Sequence, residues 1–425
     1  MKFRKDYLLP FILVTSCFAL WGFANDITNP MVKAFSKIFR MSVTDGALVQ
    51  VAFYGGYFAM ALPAALFIRR FSYKSGLLLG LGLYAFGSLM FIPAKATGSY
   101  YPFLIAYFIL TCGLSFLETS ANPYILSMGD QKSATRRLNL AQAFNPIGSL
   151  LGMYVAMHFI QSRMSPLSTL ERAGLPEAEF EALKQSDLSV IVGPYAILGL
   201  ILVAIFVAMI FVKMPSGESE PVGDTSLRAT CKRLFANVRY RGGVIAQFFY
   251  VGVQIMCWTF IIQYGTRIFM AEGMAEQAAE VLSQKYNMVA MCLFCCSRFI
   301  CTYLLRFINP GRLLSTLAIV ASVLLCVVVF AGGRMGLYCL VAVSACMSLM
   351  FPTIYGISLE GVGDDAKIGA AGLIMAILGG SVMPPLQARI IDMGTVCGLP
   401  AVNISFLLPL LSFLVIALYG FRHRA

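Results

Sequence analysis

The chain alternates between long apolar runs and short polar connections. An α-helix needs roughly twenty apolar residues to cross the hydrocarbon core of a bilayer, and the runs reach about that length. The pattern predicts an all-α polytopic membrane protein with twelve transmembrane helices. The runs occupy residues 7–32, 46–68, 76–94, 101–128, 139–161, 188–213, 242–268, 284–306, 312–331, 335–359, 368–390 and 400–421.

A polar stretch rich in Pro, Gly and Ser separates the sixth run from the seventh. Such a composition is typical of a linker. We therefore predict an N-terminal six-helix half at 1–213, a cytoplasmic linker at 214–241 and a C-terminal six-helix half at 242–425. A second polar insertion, at 162–187, contains several acids and predicts a small amphipathic helix on the outer side.

Two short segments suggest that the halves are related repeats. Arg70–Leu78, after the second run, resembles Arg306–Leu314, after the eighth run. Transporters built from two such repeats place their substrate site near the membrane midplane, at the repeat interface. The alternative is that two basic turns agree by chance.

Composition and charge support a membrane protein and exclude other classes. The chain is 59% hydrophobic and 12% charged, and its mean hydropathy is +0.79, which excludes a soluble globular fold. The net charge of +12 resides in short loops, so it indicates orientation in the membrane rather than nucleic-acid binding. It predicts that both termini are cytoplasmic.

The first run shows no small-residue cleavage site, which predicts a retained span. The 12 cysteines lack metal-ligand or disulfide spacing, so we expect no metal site.

One acid, Glu118, lies near the middle of the fourth run. A carboxylate at that depth costs about 2.5–3.5 kcal/mol on insertion scales, and such residues are functional by default. Asn122 follows one turn later on the same face, and Pro123 predicts an interruption of the helix. Because burial disfavours the charged form, Glu118 can hold a proton near neutral pH. The alternative is a structural carboxyl paired with a neighbouring helix.

Two further polar groups are candidates for substrate binding. Near the outer end of the first run, Asn25, Asp26 and Asn29 share one helical stripe, or else Asp26 is a helix-end residue at headgroup level. In the fifth run, Gln142 and Asn145 lie at positions i and i+3, so both amides can be presented inward. The alternative is that these amides join helices, a contact worth about 0.6–2 kcal/mol in membranes.

The seventh run carries Tyr250, Gln254 and Trp258 at intervals of four residues, hence on one stripe. Sugars are recognised by this combination, because amides bind hydroxyl groups and a flat aromatic ring covers the C–H surface. Ordinary aromatic packing is the alternative. Arg298 in the eighth run is interpreted as a structural cation near the cytoplasmic side.

Several motifs resemble the L-fucose:proton symporters of the fucose-galactose-glucose:proton symporter family, within the major facilitator superfamily. The motifs span both halves in the family's order. They are Leu117–Tyr124 (LETSANPY), Arg137–Gln142 (RLNLAQ), Ala246–Gln254 (AQFFYVGVQ) and Pro352–Tyr355 (PTIY).

The resemblance implies a transporter that works by alternating access and moves a proton together with a sugar. It implies a proton-handling carboxyl at Glu118 and sugar-binding amides at Gln142 and Asn145, with no cofactor beyond the coupling proton. It also places Phe351 and Tyr355 among the candidate sugar contacts.

The chain departs from the family pattern at two places. The position of the family's functional Asp in the first helix is occupied by Asn29, and the acid lies one turn earlier, at Asp26. Phe351 stands where fucose carriers have Tyr. Both changes concern expected sugar contacts.

We therefore expect a monomeric, proton-coupled importer of a monosaccharide, L-fucose, in the bacterial inner membrane. A D-glucose or D-galactose symporter of the same family is the first alternative. A non-transporting membrane sugar sensor is the second, and it would not need a titrating Glu118. A membrane enzyme is disfavoured, because the sequence shows no nucleophile motif, metal cluster or phosphate loop.

Overall fold

The structure is a computed structural model that describes residues 5–28, 31–41, 45, 48–165, 167, 169–212, 227–391, 393–396 and 398–424. Helices account for nearly all of these residues. Twelve segments in the described part of the chain are long and apolar enough to cross a membrane, which confirms the predicted number. These spans are Leu8–Thr28, Val51–Arg70, Tyr73–Thr97, Tyr101–Ser127, Gln131–Ile160, Glu177–Phe211, Val238–Ala271, Val281–Leu304, Pro310–Phe330, Gly333–Leu359, Gly363–Ile391 and Ala401–Arg422.

The chain divides into two compact units. The N-terminal unit comprises residues 1–129 and 144–223, and the C-terminal unit comprises 130–143 and 224–425, within the described ranges. The first helix of the fifth span therefore groups with the C-terminal unit, and its second helix groups with the N-terminal unit. The predicted boundaries at 213 and 242 stay a prediction.

In the N-terminal unit the fourth span is central. It packs against the second and third spans, and 78% of its apolar window is buried. Close approach is possible because Gly56 faces this span, where an added Cβ would lie 2.8 Å from Thr111 Oγ1. The helices of this unit are Lys5–Thr28, Met31–Ile38, Leu48–Arg70, Tyr73–Leu89, Phe91–Thr97, Tyr101–Ser127, Asn145–Val155, the π-helical segment Ala156–Gln161, Thr169–Ala173 and Glu177–Phe211.

In the C-terminal unit the seventh span is central and packs against the eighth, tenth, eleventh and twelfth spans. The α-helices are Ala134–Gln142, Leu227–Ala236, Val238–Ala271, Glu276–Leu304, Pro310–Phe330, Gly333–Met347, Met350–Leu359, Ala366–Met375, Gly379–Ile391, Ala401–Ile404 and Leu407–Arg422. Short 3-10 helices occupy Gln131–Ser133, Gly363–Asp365 and Ala376–Leu378, and the strands Thr395–Val396 and Leu399–Pro400 pair antiparallel.

Polar caps explain why three spans begin a few residues before the apolar runs. Ser72, Asn237 and Asn309 each accept a hydrogen bond from a backbone N–H of the following first turn. These N–H groups have no partner inside the helix, so a side-chain oxygen that accepts from them extends the helix into polar sequence.

The fifth span is broken where a continuous helix was predicted. The first helix ends at Gln142 and the second begins at Asn145, with Pro146 in its first turn. Proline has no backbone N–H, so the usual hydrogen bond to the carbonyl of Gln142 cannot form. Arg298 Nη1 donates to that carbonyl instead, at 2.9 Å. Ala143 and Phe144, between the two helices, keep right-handed helical backbone angles. The inward orientation of the Gln142 and Asn145 amides stays a prediction.

Three other local predictions are corrected. The helix of the fourth span continues through Pro123 and is not interrupted there. The helix of the first span ends at Thr28, before a separate helix at Met31–Ile38, although the apolar run reaches residue 32. The acidic insertion contains a short helix at Thr169–Ala173, but its part from Glu177 onward belongs to the start of the sixth span.

A buried ion pair lies in the first part of the sixth span. Asp187 accepts from Arg172 Nη2 at 2.6 Å and from the backbone N–H of Ser165 at 2.9 Å, and both charged side chains are buried. Paired in this way, an acid from the polar insertion can lie inside the helical unit.

Candidate functional site

Glu118 lies on the most buried stretch of the fourth span. Every residue from Ser115 to Ile125 is buried, and Glu118 itself is 0% exposed. Among the described residues, neither carboxyl oxygen of Glu118 has a hydrogen-bond partner. Asn122, also fully buried, lies one turn further along. Within the described part of the chain, Glu118 is therefore buried in the N-terminal unit without an ion-pair partner of the kind that a structural carboxyl would have.

Tyr57, from the second span, is a neighbour of this carboxyl. Its hydroxyl lies close enough to Glu118 to interact with it, although the two groups do not adopt standard hydrogen-bond geometry. Ser115, three residues before Glu118, donates its hydroxyl to the carbonyl of Tyr57 at 3.1 Å. Helix packing thus holds the phenol beside the acid. Sequence reasoning missed Tyr57, because nothing in the pattern of the second run singles it out.

The first span carries two of its three predicted polar residues within the described part of the chain. Asn25 and Asp26 are half-buried in the last turns of the helix, and Asn29 lies outside the described residues. Asp26 is within electrostatic range of Tyr54, which lies one turn before Tyr57 on the second span. Asp26 and Glu118 therefore each lie near a tyrosine of the second span.

The two predicted amides of the fifth span have different surroundings. Asn145 is half-buried, and its Nδ2 donates to the carbonyl of Phe18 in the first span at 3.2 Å. Gln142 is buried at the end of the preceding helix and belongs to the C-terminal unit. The Asn145 contact is of the helix-joining kind that the sequence left open, and it leaves the Oδ1 atom for other partners.

The predicted stripe lies on the helix of the seventh span, and both of its aromatic residues form hydrogen bonds. The Tyr250 hydroxyl donates to the carbonyl of Met347 at 3.1 Å, and Trp258 Nε1 donates to Ser344 Oγ at 3.2 Å. Gln254, between them on the stripe, is half-buried. Both aromatic residues are thereby fixed to the tenth span, which holds their rings in defined orientations.

Phe351 and Tyr355 lie one turn apart on the second helix of the tenth span. Their rings stack with centroids 6.4 Å apart, and Phe351 also meets Tyr250 edge-on at 6.2 Å. Phe351 is half-buried and Tyr355 is fully buried. The C-terminal unit therefore offers a connected group of aromatic rings.

Two C-terminal amides were not chosen from the sequence. Gln247, one turn before Tyr250, is 0% exposed, and neither of its side-chain polar atoms has a partner among the residues described. Asn139 donates to Thr353 Oγ1 at 3.2 Å. Both residues occur in the motifs that carried the family resemblance, and those motifs could have identified them as candidates.

The buried Arg298 of the eighth span is held by neutral groups. Its guanidinium donates to the carbonyls of Gln142 and Ser348, and it lies 4.6 Å from the centre of the Phe294 ring. No acidic side chain pairs with it in the described part of the molecule. This environment agrees with the structural role inferred from the sequence.

Known proteins resemble this chain over nearly its whole length. An L-fucose-proton symporter of Haemophilus influenzae is 51% identical over 427 residues, which covers 99% of this chain and 97% of the relative. A second L-fucose-proton symporter, from Escherichia coli, is 32% identical and covers 98% of this chain and 93% of its own length.

Solved structures agree with the sequence relatives. A crystal structure of the major facilitator superfamily transporter FucP in its outward conformation has a TM-score of 0.89 and 32% identity, covering 99% of this chain and all of that one. These relatives are transporters rather than enzymes, and they confirm the resemblance found from the motifs. Because residues 14–384 also match the family described as Major Facilitator Superfamily, the chain belongs to that superfamily.

Proposed function

We propose that this protein is an L-fucose:proton symporter that imports the sugar by alternating access. The observation that carries the proposal is Glu118, a fully buried carboxyl with no hydrogen-bond partner among the described residues, in the most buried span of the N-terminal unit. Such a group is costly in its charged form, and it becomes compatible with its surroundings when a proton neutralises it. Protonation of Glu118 is therefore the step that couples the proton to the transport cycle.

The coupling follows from the charge of the loaded site. With a proton on Glu118 and a sugar bound, the Glu118 carboxyl carries no charge, and the carrier can change between its outward-open and inward-open states. The lower proton activity of the cytoplasm then removes the proton, and sugar affinity falls with it. A ligand can shift a conformational equilibrium only through its different affinities for the two states.

We assign sugar recognition to the polar and aromatic side chains that the sequence pattern and the motifs single out. Asp26 is a second candidate for proton coupling. The groups that can bind sugar hydroxyls are the amides of Asn25, Asn29, Asn122, Gln142 and Asn145. The C-terminal unit supplies rings for the C–H face of the sugar, a common pairing in sugar sites. The assigned residues of that unit are Tyr250, Gln254, Trp258, Phe351 and Tyr355.

We propose a location for the protein and an orientation of its termini. The distribution of basic residues favours cytoplasmic termini, in a bacterial inner membrane. The mechanism uses the proton as the coupling ion and requires no further cofactor. We propose that one chain is sufficient for transport.

Transport into sealed proteoliposomes tests the proposal. An inwardly directed proton gradient should drive accumulation of labelled L-fucose, and a protonophore should abolish it. Binding without movement of sugar across the membrane would instead favour the sensor.

A competition assay with unlabelled sugars identifies the transported sugar. Unlabelled L-fucose should compete more strongly than D-galactose, D-glucose, D-arabinose or N-acetylglucosamine. Stronger competition by D-glucose or D-galactose would favour the hexose symporter, the alternative raised by the departures at Asn29 and Phe351.

A further inference from the structure

The second and fourth spans meet along one face of the fourth span. Thr111, Ser115 and Glu118 lie at positions i, i+4 and i+7, and therefore on the same side of the helix. Gly56 approaches Thr111 on this side, and Ser115 Oγ donates to the carbonyl of Tyr57 at 3.1 Å. Glu118 therefore belongs to the face that packs against the second span.

Tyr57 is buried in this contact, with 3% of its surface exposed, and its hydroxyl has no hydrogen-bond partner among the described residues. Buried polar atoms are nearly always hydrogen-bonded, so one that is not calls for an explanation. The neighbouring Glu118 oxygens are in the same condition. Two complementary groups thus lie side by side, each without another partner in the described structure.

The other titratable groups near Tyr57 have their own neighbours. Tyr84, from the third span, donates its hydroxyl to the carbonyl of Leu20 at 2.8 Å. Tyr54 lies on the same helix as Tyr57 and within range of Asp26. The Tyr57 hydroxyl, in contrast, has no partner among the described residues, and the Ser115 contact to its backbone holds it on the face that carries Glu118.

We infer that Tyr57 is a positioning residue for the coupling proton, a role that rests on the proposed function of Glu118. A phenol hydroxyl can donate to a carboxylate and can also accept from a protonated carboxylic acid. Tyr57 therefore has a hydrogen bond to offer in both protonation states of Glu118. The bond to the charged state is the stronger one, so it lowers the cost of releasing the proton.

The Tyr57→Phe variant tests the inference through a pH profile. Without the donor, the carboxylate is less favourable and the proton is held to higher pH. The midpoint of pH-dependent L-fucose binding should move upward by about one pH unit, the size expected for loss of one charge-assisted hydrogen bond. Proton-driven accumulation should fall by about tenfold, and exchange of labelled for unlabelled sugar should fall less.

Two controls separate this role from a structural one. Tyr107, on the same helix as Glu118, donates to or accepts from Tyr195 at 2.7 Å, so Tyr107→Phe also removes a buried hydroxyl but should not move the midpoint. In a Glu118→Gln background, Tyr57→Phe should produce no pH-dependent change, because the titrating partner is absent.

A second variant, expected to shift the pH midpoint in the opposite direction, is used if Tyr57→Phe does not fold. Replacement of Tyr57 by 3-fluorotyrosine makes the phenol a stronger donor and should move the midpoint downward. An unchanged midpoint in the folded Phe variant, or in the fluorotyrosine variant, would overturn the role of Tyr57. Absence of proton-driven uptake by the wild type would instead overturn the proposed function itself.

Discussion

Two buried charged side chains, one in each unit, differ in how the protein supports them. Arg298 of the C-terminal unit donates to two backbone carbonyls and lies over an aromatic ring. Glu118 of the N-terminal unit is equally buried, but its oxygens have no hydrogen-bond partner among the described residues and only a phenol beside them. The charge of Arg298 is stabilised by protein groups. The charge of Glu118 is not, so a proton would have to neutralise it.

The difference indicates which buried charge can change during transport. A guanidinium that satisfies carbonyls stabilises one arrangement of helices, and its removal leaves buried acceptors unpaired. A carboxyl without fixed partners can gain and lose a proton while the backbone around it remains hydrogen-bonded. We therefore expect substitutions at Glu118 to change energy coupling and substitutions at Arg298 to change stability.

The largest effect is expected for Glu118→Gln. Gln has nearly the shape of the protonated acid but cannot release a proton, so the variant should resemble the permanently loaded carrier. It should bind L-fucose without pH dependence and exchange labelled sugar across vesicles, yet fail to accumulate sugar when the outside is acidified. Uphill accumulation in this variant would show that the coupling proton resides elsewhere, with Asp26 as the next candidate.

A strong effect is also expected for Asp26→Asn, which removes the other acid near a tyrosine of the second span. If Asp26 takes the role of the family's first-helix acid, this variant should lose most proton-driven uptake, and Asn29→Ala should lose less. Initial rates of L-fucose uptake measure both. The reverse order, with near-normal transport by Asp26→Asn, would make Asp26 a helix-end residue and Asn29 the important contact.

Arg298→Met should reduce stability rather than coupling. The substitution leaves the carbonyls of Gln142 and Ser348 without their donor, at roughly 1–3 kcal/mol for each unsatisfied buried group. The melting temperature in detergent should fall, and the protein that remains folded should keep the wild-type pH profile of L-fucose binding. Arg306→Met is the control, because Arg306 is exposed just after the same span and its loss should change little. A melting temperature equal to that of the control would contradict the structural role.

The smallest effects are expected at the amides of the fifth span. Gln142→Ala and Asn145→Ala should each weaken L-fucose binding by roughly 1–3 kcal/mol, the cost of leaving a buried partner unpaired. Calorimetry on purified protein measures the change. Asn309→Ala is a matched control, since it removes an amide that caps the ninth span and should affect stability alone. Unchanged affinity in both site variants would assign Gln142 and Asn145 to helix packing.

Much of the molecule could be predicted from local patterns of sequence. Hydropathy predicts the twelve spans, because the bilayer requires each crossing segment to be long, apolar and helical. The position of Glu118 within the fourth run predicts a functional acid at membrane depth, and the motifs around it predict the transporter family. These properties depend on a residue and its near neighbours along the chain, so no contact map is needed to infer them.

Tertiary structure decided which groups meet across the fold. The amide of Asn145 donates to the first span, and Arg172 forms an ion pair with Asp187. Arg298 donates to the carbonyl of Gln142, 156 positions away, which has no helical donor because of Pro146. Tyr57 acquires its place beside Glu118 only through the packing of the second span on the fourth. Sequence spacing fixes neighbours within one helix, whereas contacts between helices depend on how their faces pack, and that packing supplies the partners of each buried polar group.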